Sequence, residues 1–301
     1  MNERGFPGGV TAVEIEAKSV LNRVRGMPFE WSINPYRGCA HRCVFCYARR
    51  THWFLDEDGL DRWGDRIYVK TNAPRVLRHE LARAKGRGVS VCVGTATDPY
   101  QPLEGTYRIT RGIFAELSRA RTPAHLITRS PLVVRDTDVL SELAARASFT
   151  VGISLPTLDA ELSRRIEPTV APPAKRLFAV QSLAAKGIRV GVAVAPILPG
   201  LTDDAKTIAR VLRAARDCGA SFAWHNVLNL GEITRDAYFN FLNEEYPNLV
   251  ALYDTLYRGK YAPKEYAGAI AKRFAQQRKS YPLEDRPKIE PRRGGVQLSL
   301  I

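Results

Sequence analysis

No stretch of this chain stays apolar for about 18 residues, the length a helix needs to cross a bilayer, so no membrane span is expected. The opening residues, M-N-E-R-G-F-P-G-G, lack the apolar core of a secretory signal. Cysteine is scarce, with five in 301 residues, and such a set does not make the disulfide framework of a short secreted domain. Unpaired thiols point to the cytoplasm. The chain shows no solenoid-type repeat and no low-complexity tract. Acidic residues are outnumbered, 31 Asp and Glu against 45 Lys and Arg, giving a net charge of +14. That excess favours contact with polyanions by phosphate neutralisation, so nucleic acid is an expected partner. The arginines are spread along the chain, so charge alone argues non-specific binding rather than a substrate.

Three of the cysteines sit together. Cys39, Cys43 and Cys46 form C-x3-C-x2-C. Three thiolates on one short loop can hold three irons of a [4Fe–4S] cluster, whereas four would close it. The fourth iron is then open to a small molecule, and an open position signals chemistry. The competing reading is structural zinc, with His41 or His52 as fourth ligand. His41 lies between two of the cysteines and is badly placed to reach the same metal. Cys92 and Cys218 are isolated and read as small buried hydrophobes.

Nearly continuous apolar runs occur at residues 89–94, 124–128, 148–154, 188–195 and 221–228. Such runs suit a parallel sheet buried on both faces. Helical periodicity fills the gaps at 74–85, 111–120, 138–147, 173–186 and 203–218, with Gly86 placed to end the first of these. Repeated βα units predict a barrel or an open doubly wound sheet. The expected segments are a lead-in over 1–28 with a short helix at 17–25, a core over 29–230, a helical extension over 231–280 and a tail over 281–301. The distinctive loops all follow strands. In parallel barrels that end of the sheet carries function.

The run N-P-Y-R-G-C-x-H-x-C-x-F-C-Y-A-R at 34–49 resembles the radical S-adenosylmethionine (SAM) enzymes, in the DNA repair photolyase branch related to spore photoproduct lyase. The likeness continues through G-T-A-T-D-P-Y-Q-P-L-E at 94–104, L-I-T-R-S at 126–130, V-G-I-S-L at 151–155, E-P at 167–168 and P-I-L-P-G-L at 196–201. It implies an α/β fold, a partial (β/α)6 TIM-like barrel with a helical C-terminal extension. It also implies a [4Fe–4S] cluster on Cys39, Cys43 and Cys46, with SAM on the open iron. One electron would cleave SAM to a 5′-deoxyadenosyl radical, with flavodoxin or ferredoxin as reductant and a monomer as the working unit.

The resemblance further implies SAM contacts from Arg129 to the carboxylate, from Ser154 and Thr97 through their hydroxyls, and from Asp98 to the amine. The family more often has lysine where Arg129 stands; the cation is kept. Glu167 would reach the ribose or close a helix. Spore photoproduct lyases carry a hydrogen-donating cysteine where this chain has Thr95, and strand alternation predicts that Cys92 looks away if Thr95 looks in. His125 is expected in a strand core, and His225 on the barrel face. Trp53, Trp63 and the loop over 49–68 are candidates for stacking on a base.

The expected function is thus a lyase-like radical SAM enzyme acting on nucleic acid. A protein or small-molecule substrate, a non-catalytic zinc-stabilised nucleic-acid-binding module, and an iron–sulfur electron carrier are the alternatives.

Overall fold

In the computed structural model the described residues are 2–25, 27, 29–53, 62–83 and 89–288. The chain opens in β-structure. Strand β1 (Glu3–Phe6) pairs antiparallel with β2 (Val10–Ile15), whose Val10 and Ala12 enter the core. The helix expected over 17–25 is absent. Distant side chains hold this stretch extended: Asn72 bonds both the N–H (2.8 Å) and the C=O (3.0 Å) of Ala17. The Glu80 carboxylate accepts from the N–H groups of Val20 and Leu21, at 3.1 and 3.0 Å. Periodicity cannot register partners so remote.

Next come β3 (Asn22–Arg23), β4 (Trp31–Ile33), β5 (Tyr36–Arg37), α1 (Arg50–Trp53) and β6 (Arg66–Lys70). Strand β6 pairs parallel with β2 and antiparallel with β5, completing a four-stranded sheet in the order β1-β2-β6-β5.

The second sheet is built by alternation. Helix α2 (Ala73–Arg83) leads to β7 (Val91–Val93), then α3 (Glu104–Tyr107), α4 (Ile109–Ala120) and β8 (Ala124–Thr128). Helix α5 (Thr137–Arg146), β9 (Phe149–Ser154), α6 (Ala160–Ile166), α7 (Pro173–Ala185), β10 (Val190–Ile197), α8 (Ala205–Asp217) and β11 (Phe222–Val227) follow. The order is β11-β10-β9-β8-β7-β4-β3, parallel throughout except at β3. Residues 84–88, including the expected helix stop Gly86, lie outside the described residues.

Helix α8 shows why the elements form. Ile208, Val211, Leu212 and Ala215 line its buried stripe, and the Asp204 carboxylate caps it by accepting from the Thr207 N–H at 2.9 Å. Such a cap contributes about 1 kcal/mol.

Long-range contacts show that the sheet curls. Strands β7 and β11 stand four places apart, roughly 19 Å across a flat sheet. Yet the Arg286 guanidinium lies 3.9 Å from Cys92 Sγ on β7 and 4.9 Å from the Trp224 ring centre on β11. His125 on β8 and Trp224 approach to 5.8 Å between ring centres. The six parallel strands therefore wrap round an interior, as in a partial (β/α)6 barrel.

Trp224 reaches across to β9, where a Cβ on Gly152 would stand 2.2 Å from its ring. Gly152→Ala should cost about 1–3 kcal/mol by overpacking, read as a lower denaturant midpoint. His225 points the opposite way. Its ring packs 4.5 Å from that of Phe274, so it faces the outer helix layer rather than the barrel interior.

Helices α9 (Glu232–Glu245), α10 (Val250–Leu256) and α11 (Lys264–Lys279) complete the regular elements. Tyr238, Tyr253 and Tyr257 on and beside α9 and α10 form one buried cluster with Cys43 and Phe45. The tail then returns to the sheet. Glu284 bridges Phe222 in parallel register, bonded by Ala223 N–H to its carbonyl and by its own N–H to the Ser221 carbonyl, both at 3.0 Å. Among the described residues no helix is long and apolar enough to cross a membrane.

Candidate active site

The cysteine loop lies between β5 and the 3₁₀ turn Tyr47–Arg49. Its backbone is tied down from several elements. Thr97 donates its hydroxyl to the Gly38 carbonyl at 2.6 Å. The Gln101 amide accepts from Ala40 N–H (2.9 Å) and donates to Thr97 Oγ1 (3.0 Å). Thr169 donates to the Ala40 carbonyl (2.6 Å), Val44 N–H to the Ile166 carbonyl (3.1 Å) and Thr234 to the Cys46 carbonyl (3.2 Å). Arg42 sits at φ 51°, a left-handed conformation unusual for a side-chain-bearing residue, and is anchored to Asp65 at 2.8 Å.

Cys39 and Cys43 are buried and Cys46 half-buried. Burial pushes the Cys39 thiol up to about 12 and also raises Cys43 and Cys46. Protein alone therefore keeps these groups as thiols, and a bound cation is needed to make them thiolates. Zinc fits the arrangement poorly. His41 turns to Asp98, with Nε2 3.4 Å from Oδ2. No three His, Cys, Asp or Glu side chains converge on a single-ion position among the described residues. The His52 side chain is not among those described.

Arg129 NH1 lies 3.3 Å from Cys43 Sγ and also donates to Glu167, while its guanidinium stands over Phe45 at 5.6 Å. Glu167 in turn pairs with Arg176, both fully buried. Glu167 closes α6 as its C-cap, with its N–H on the Ser163 carbonyl at 2.9 Å, as one of the two expected readings had it. Its carboxylate is clamped between two arginines. Arg129 keeps Nε and NH2 without a partner among the described residues, so a two-pronged donor face is left. The Ser154 hydroxyl, at the end of β9, likewise has no hydrogen-bond partner among them, while its carbonyl accepts from Arg176 at 3.2 Å.

Thr97 and Asp98 are placed differently from the expected SAM contacts. The Thr97 hydroxyl is consumed in holding the cysteine loop. Asp98 is a buried hub: Oδ1 accepts from Tyr100 N–H (2.9 Å) and Thr128 Oγ1 (2.6 Å), and Oδ2 from Arg129 N–H (2.8 Å). No oxygen is left facing outward for an amine. Tyr100 and Gln101 are local partners, but Gly38, Thr128 and Arg129 lie on other segments, which no local pattern displays.

Burial alone would raise the Asp98 pKa, but His41, Thr128 and the Arg129 N–H outweigh it and bring it down to about 2. The sign follows: a depressed carboxylate stabilises the fold above its ordinary pKa. That contribution is lost as pH falls from 3.8 to about 2. Asp98→Asn should remove about 2 kcal/mol at neutral pH and flatten acid unfolding in that window, measured by circular dichroism.

Cys92 is buried, as expected of a small hydrophobe. Its side chain faces the barrel interior, beside Arg286, while the Thr95 hydroxyl pairs with Asn34 at 3.2 Å. Gly94, at φ +92°, follows the end of β7 between them. Tyr47, next to Cys46, is exposed and donates to the Thr95 carbonyl. Trp63 is buried with Cys39 and Ala48, so it packs the loop rather than offering a face for a base. Most of the remaining loop to residue 61 lies outside the described residues.

An uncharacterized protein of Mycobacterium tuberculosis is 37% identical over 271 residues, covering 89% of this chain and 80% of the relative. An uncharacterized protein of Methanocaldococcus jannaschii is 28% identical over 195 residues, covering 64% and 70%. Among solved structures, spore photoproduct lyase complexed with dinucleoside spore photoproduct superposes with a TM-score of 0.70 at 13% identity, over 91% of this chain and 81% of that one. Streptococcus suis SuiB bound to S-adenosylmethionine gives 0.54 at 14% identity, over 85% and 49%. These likenesses are of fold. The family model described as the radical SAM superfamily matches residues 33–212, from the last residue of β4 to within α8, and with it the chain belongs to that superfamily.

Proposed function

We propose that this radical SAM enzyme acts on a nucleic acid in a lyase-like repair reaction, with Cys39, Cys43 and Cys46 holding three irons of its [4Fe–4S] cluster. The observation that carries the cluster assignment is the three-thiol loop itself: buried, braced from five directions, and free of a fourth protein ligand among the described residues. When bound, cluster and SAM supply a one-electron C–S cleavage that yields a 5′-deoxyadenosyl radical.

The chain's own residues orient and shield. Arg129 offers Nε and NH2 to the SAM carboxylate, held in place by Glu167. Ser154 offers its hydroxyl to the amino acid moiety. Thr97 and Asp98 act one step back, fixing the cysteine loop and the Arg129 backbone. Phe45 and the tyrosine cluster exclude water from one side.

The nucleic-acid assignment is supported by the +14 charge and by fold likeness to a lyase seen with a dinucleoside photoproduct. It is tested by incubating reconstituted enzyme with lesion-bearing oligonucleotides and with isotopically labelled substrate. Label transfer to 5′-deoxyadenosine from the nucleic acid is expected. Binding should also weaken steeply with salt. Oligonucleotide affinity that ignores lesions, with no label transfer, would favour a protein or small-molecule substrate.

A further inference from the structure

We propose that the floor of the barrel holds an oxyanion-binding position, formed by the Arg286 guanidinium and His125 Nε2, that receives a phosphate or carboxylate group of the substrate. This deepens the reading of the barrel as a substrate chamber and rests on it.

Two unmet demands meet there. The tail enters beside β11 with Glu284 level with Phe222, which brings Arg286 level with Trp224. Its guanidinium lies 4.9 Å from the indole centre, with NH2 3.9 Å from Cys92 Sγ. No carboxylate stands within ion-pair reach of it among the described residues. The neighbouring acids are engaged elsewhere, Glu284 with Arg189 and Asp285 with Arg278. Cys92 does not supply the missing charge, because burial pushes its thiol up to about 12. Arg286 is half-buried, and a cation partly taken out of water without a counter-charge bears part of the desolvation cost.

The second demand is His125. Its side chain is fully buried, Nδ1 is 2.6 Å from Thr150 Oγ1, and Nε2 has no partner. Burial and the nearby Arg286 hold the ring well below its ordinary pKa, so it is neutral. In the tautomer in which Thr150 donates to Nδ1, Nε2 carries the proton and is a donor without a partner, and an oxyanion at this position would select that tautomer. An unsatisfied buried donor costs about 1–3 kcal/mol. The groups facing this position are Cys92 on β7, His125 on β8, Thr150 on β9 and Trp224 on β11, none of them charged, together with Arg286 from the tail. A guanidinium without an anion and an N–H without an acceptor are both answered by one negatively charged oxygen.

The position also suits the site above. From His125, β8 runs four residues to Arg129, roughly 13 Å of extended chain, and Arg129 touches Cys43. An oxyanion held at the floor would leave the body of the substrate between it and the cysteine loop.

The test is thermal melting of the full chain in buffers of matched ionic strength, with inorganic phosphate or with acetate as probe. The wild type should melt higher as one probe is raised, phosphate pointing to a phosphate ester and acetate to a carboxylate. Arg286→Gln should weaken that effect about tenfold or more, Arg286→Lys should keep part of it, and Arg189→Gln should keep it all. In parallel, ¹⁵N-imidazole NMR of the wild type should show the His125 Nε2 signal moving with the same probe. No effect of either anion, an equal effect in Arg286→Gln, or an unmoved His125 signal would overturn the position. Iron content and 5′-deoxyadenosine formation, measured without these anions, report separately on the radical reading. Their success beside a negative anion result removes only this inference.

Discussion

Alanine at Cys39, Cys43 or Cys46 is expected to give a folded, colourless protein that forms no 5′-deoxyadenosine. The loop owes its shape to bonds that bypass sulfur: the Gly38, Ala40 and Cys46 carbonyls and the Ala40 and Val44 N–H groups all have partners outside the loop. Losing one thiol therefore removes a ligand without releasing the loop. Iron should fall from about four per chain, the content of one cubane, to near zero. The electron paramagnetic resonance signal of the reduced protein, and its change on adding SAM, should vanish with it. Cys92→Ala and Cys218→Ala should keep their iron, since neither thiol lies near the loop in the chain or beside the three in the fold. Retention of iron and product in any of the three loop variants would end the ligand assignment.

Glu167→Ala should destabilise the fold by about 3–5 kcal/mol, the range for breaking a buried ion pair from one side. Glu167 and Arg176 have fully buried side chains, and Arg129 is only one-fifth exposed. Arg176 has no room to move, because it also donates to the carbonyls of Ala171 (2.8 Å) and Ser154 (3.2 Å) and to Ser163 Oγ (3.1 Å). Removing the carboxylate strands two cations in the interior. The double variant Glu167→Ala/Arg176→Met should recover much of the loss, since it removes one of them. Both are read as denaturant midpoints on the purified protein. The single variant should also lower iron occupancy, because Glu167 is what steers Arg129 to Cys43. An unchanged midpoint in Glu167→Ala would show that the triad does not hold these elements together.

The parallel sheet and the cysteine loop were legible in the sequence for simple reasons. Strands buried on both faces read as unbroken apolar runs, and β8 and β9 fall where those runs are. Ligand spacing on one short loop is a local property, so C-x3-C-x2-C is visible without a fold. The failures share the opposite cause. The stretch 17–25 reads as helical, but its Ala17, Val20 and Leu21 are captured by Asn72 and Glu80. The Thr97 hydroxyl and the Asp98 carboxylate are already bonded within the protein, in part to Gly38, Thr128 and Arg129 on distant segments, which no local pattern displays. Arg176 gives no sign at all, since a basic residue in a helix usually reads as an exposed face.

The small sheet gives the cysteine loop an unusual boundary. The segment between β5 and β6 leaves and re-enters through strands that are direct neighbours, with Tyr36 opposite Val69 and Arg37 opposite Tyr68. Its two feet are thus stapled together, and β2 clamps β6 from the far side. Iron uptake then meets a pre-gathered noose rather than a floppy one, and the ordering entropy is settled during folding. Residues 2–15, whose Gly8 carbonyl also accepts from Arg42 of the cysteine loop at 3.0 Å, become custodians of the metal. Trimming them should quicken iron loss to a chelator while the barrel strands stay intact.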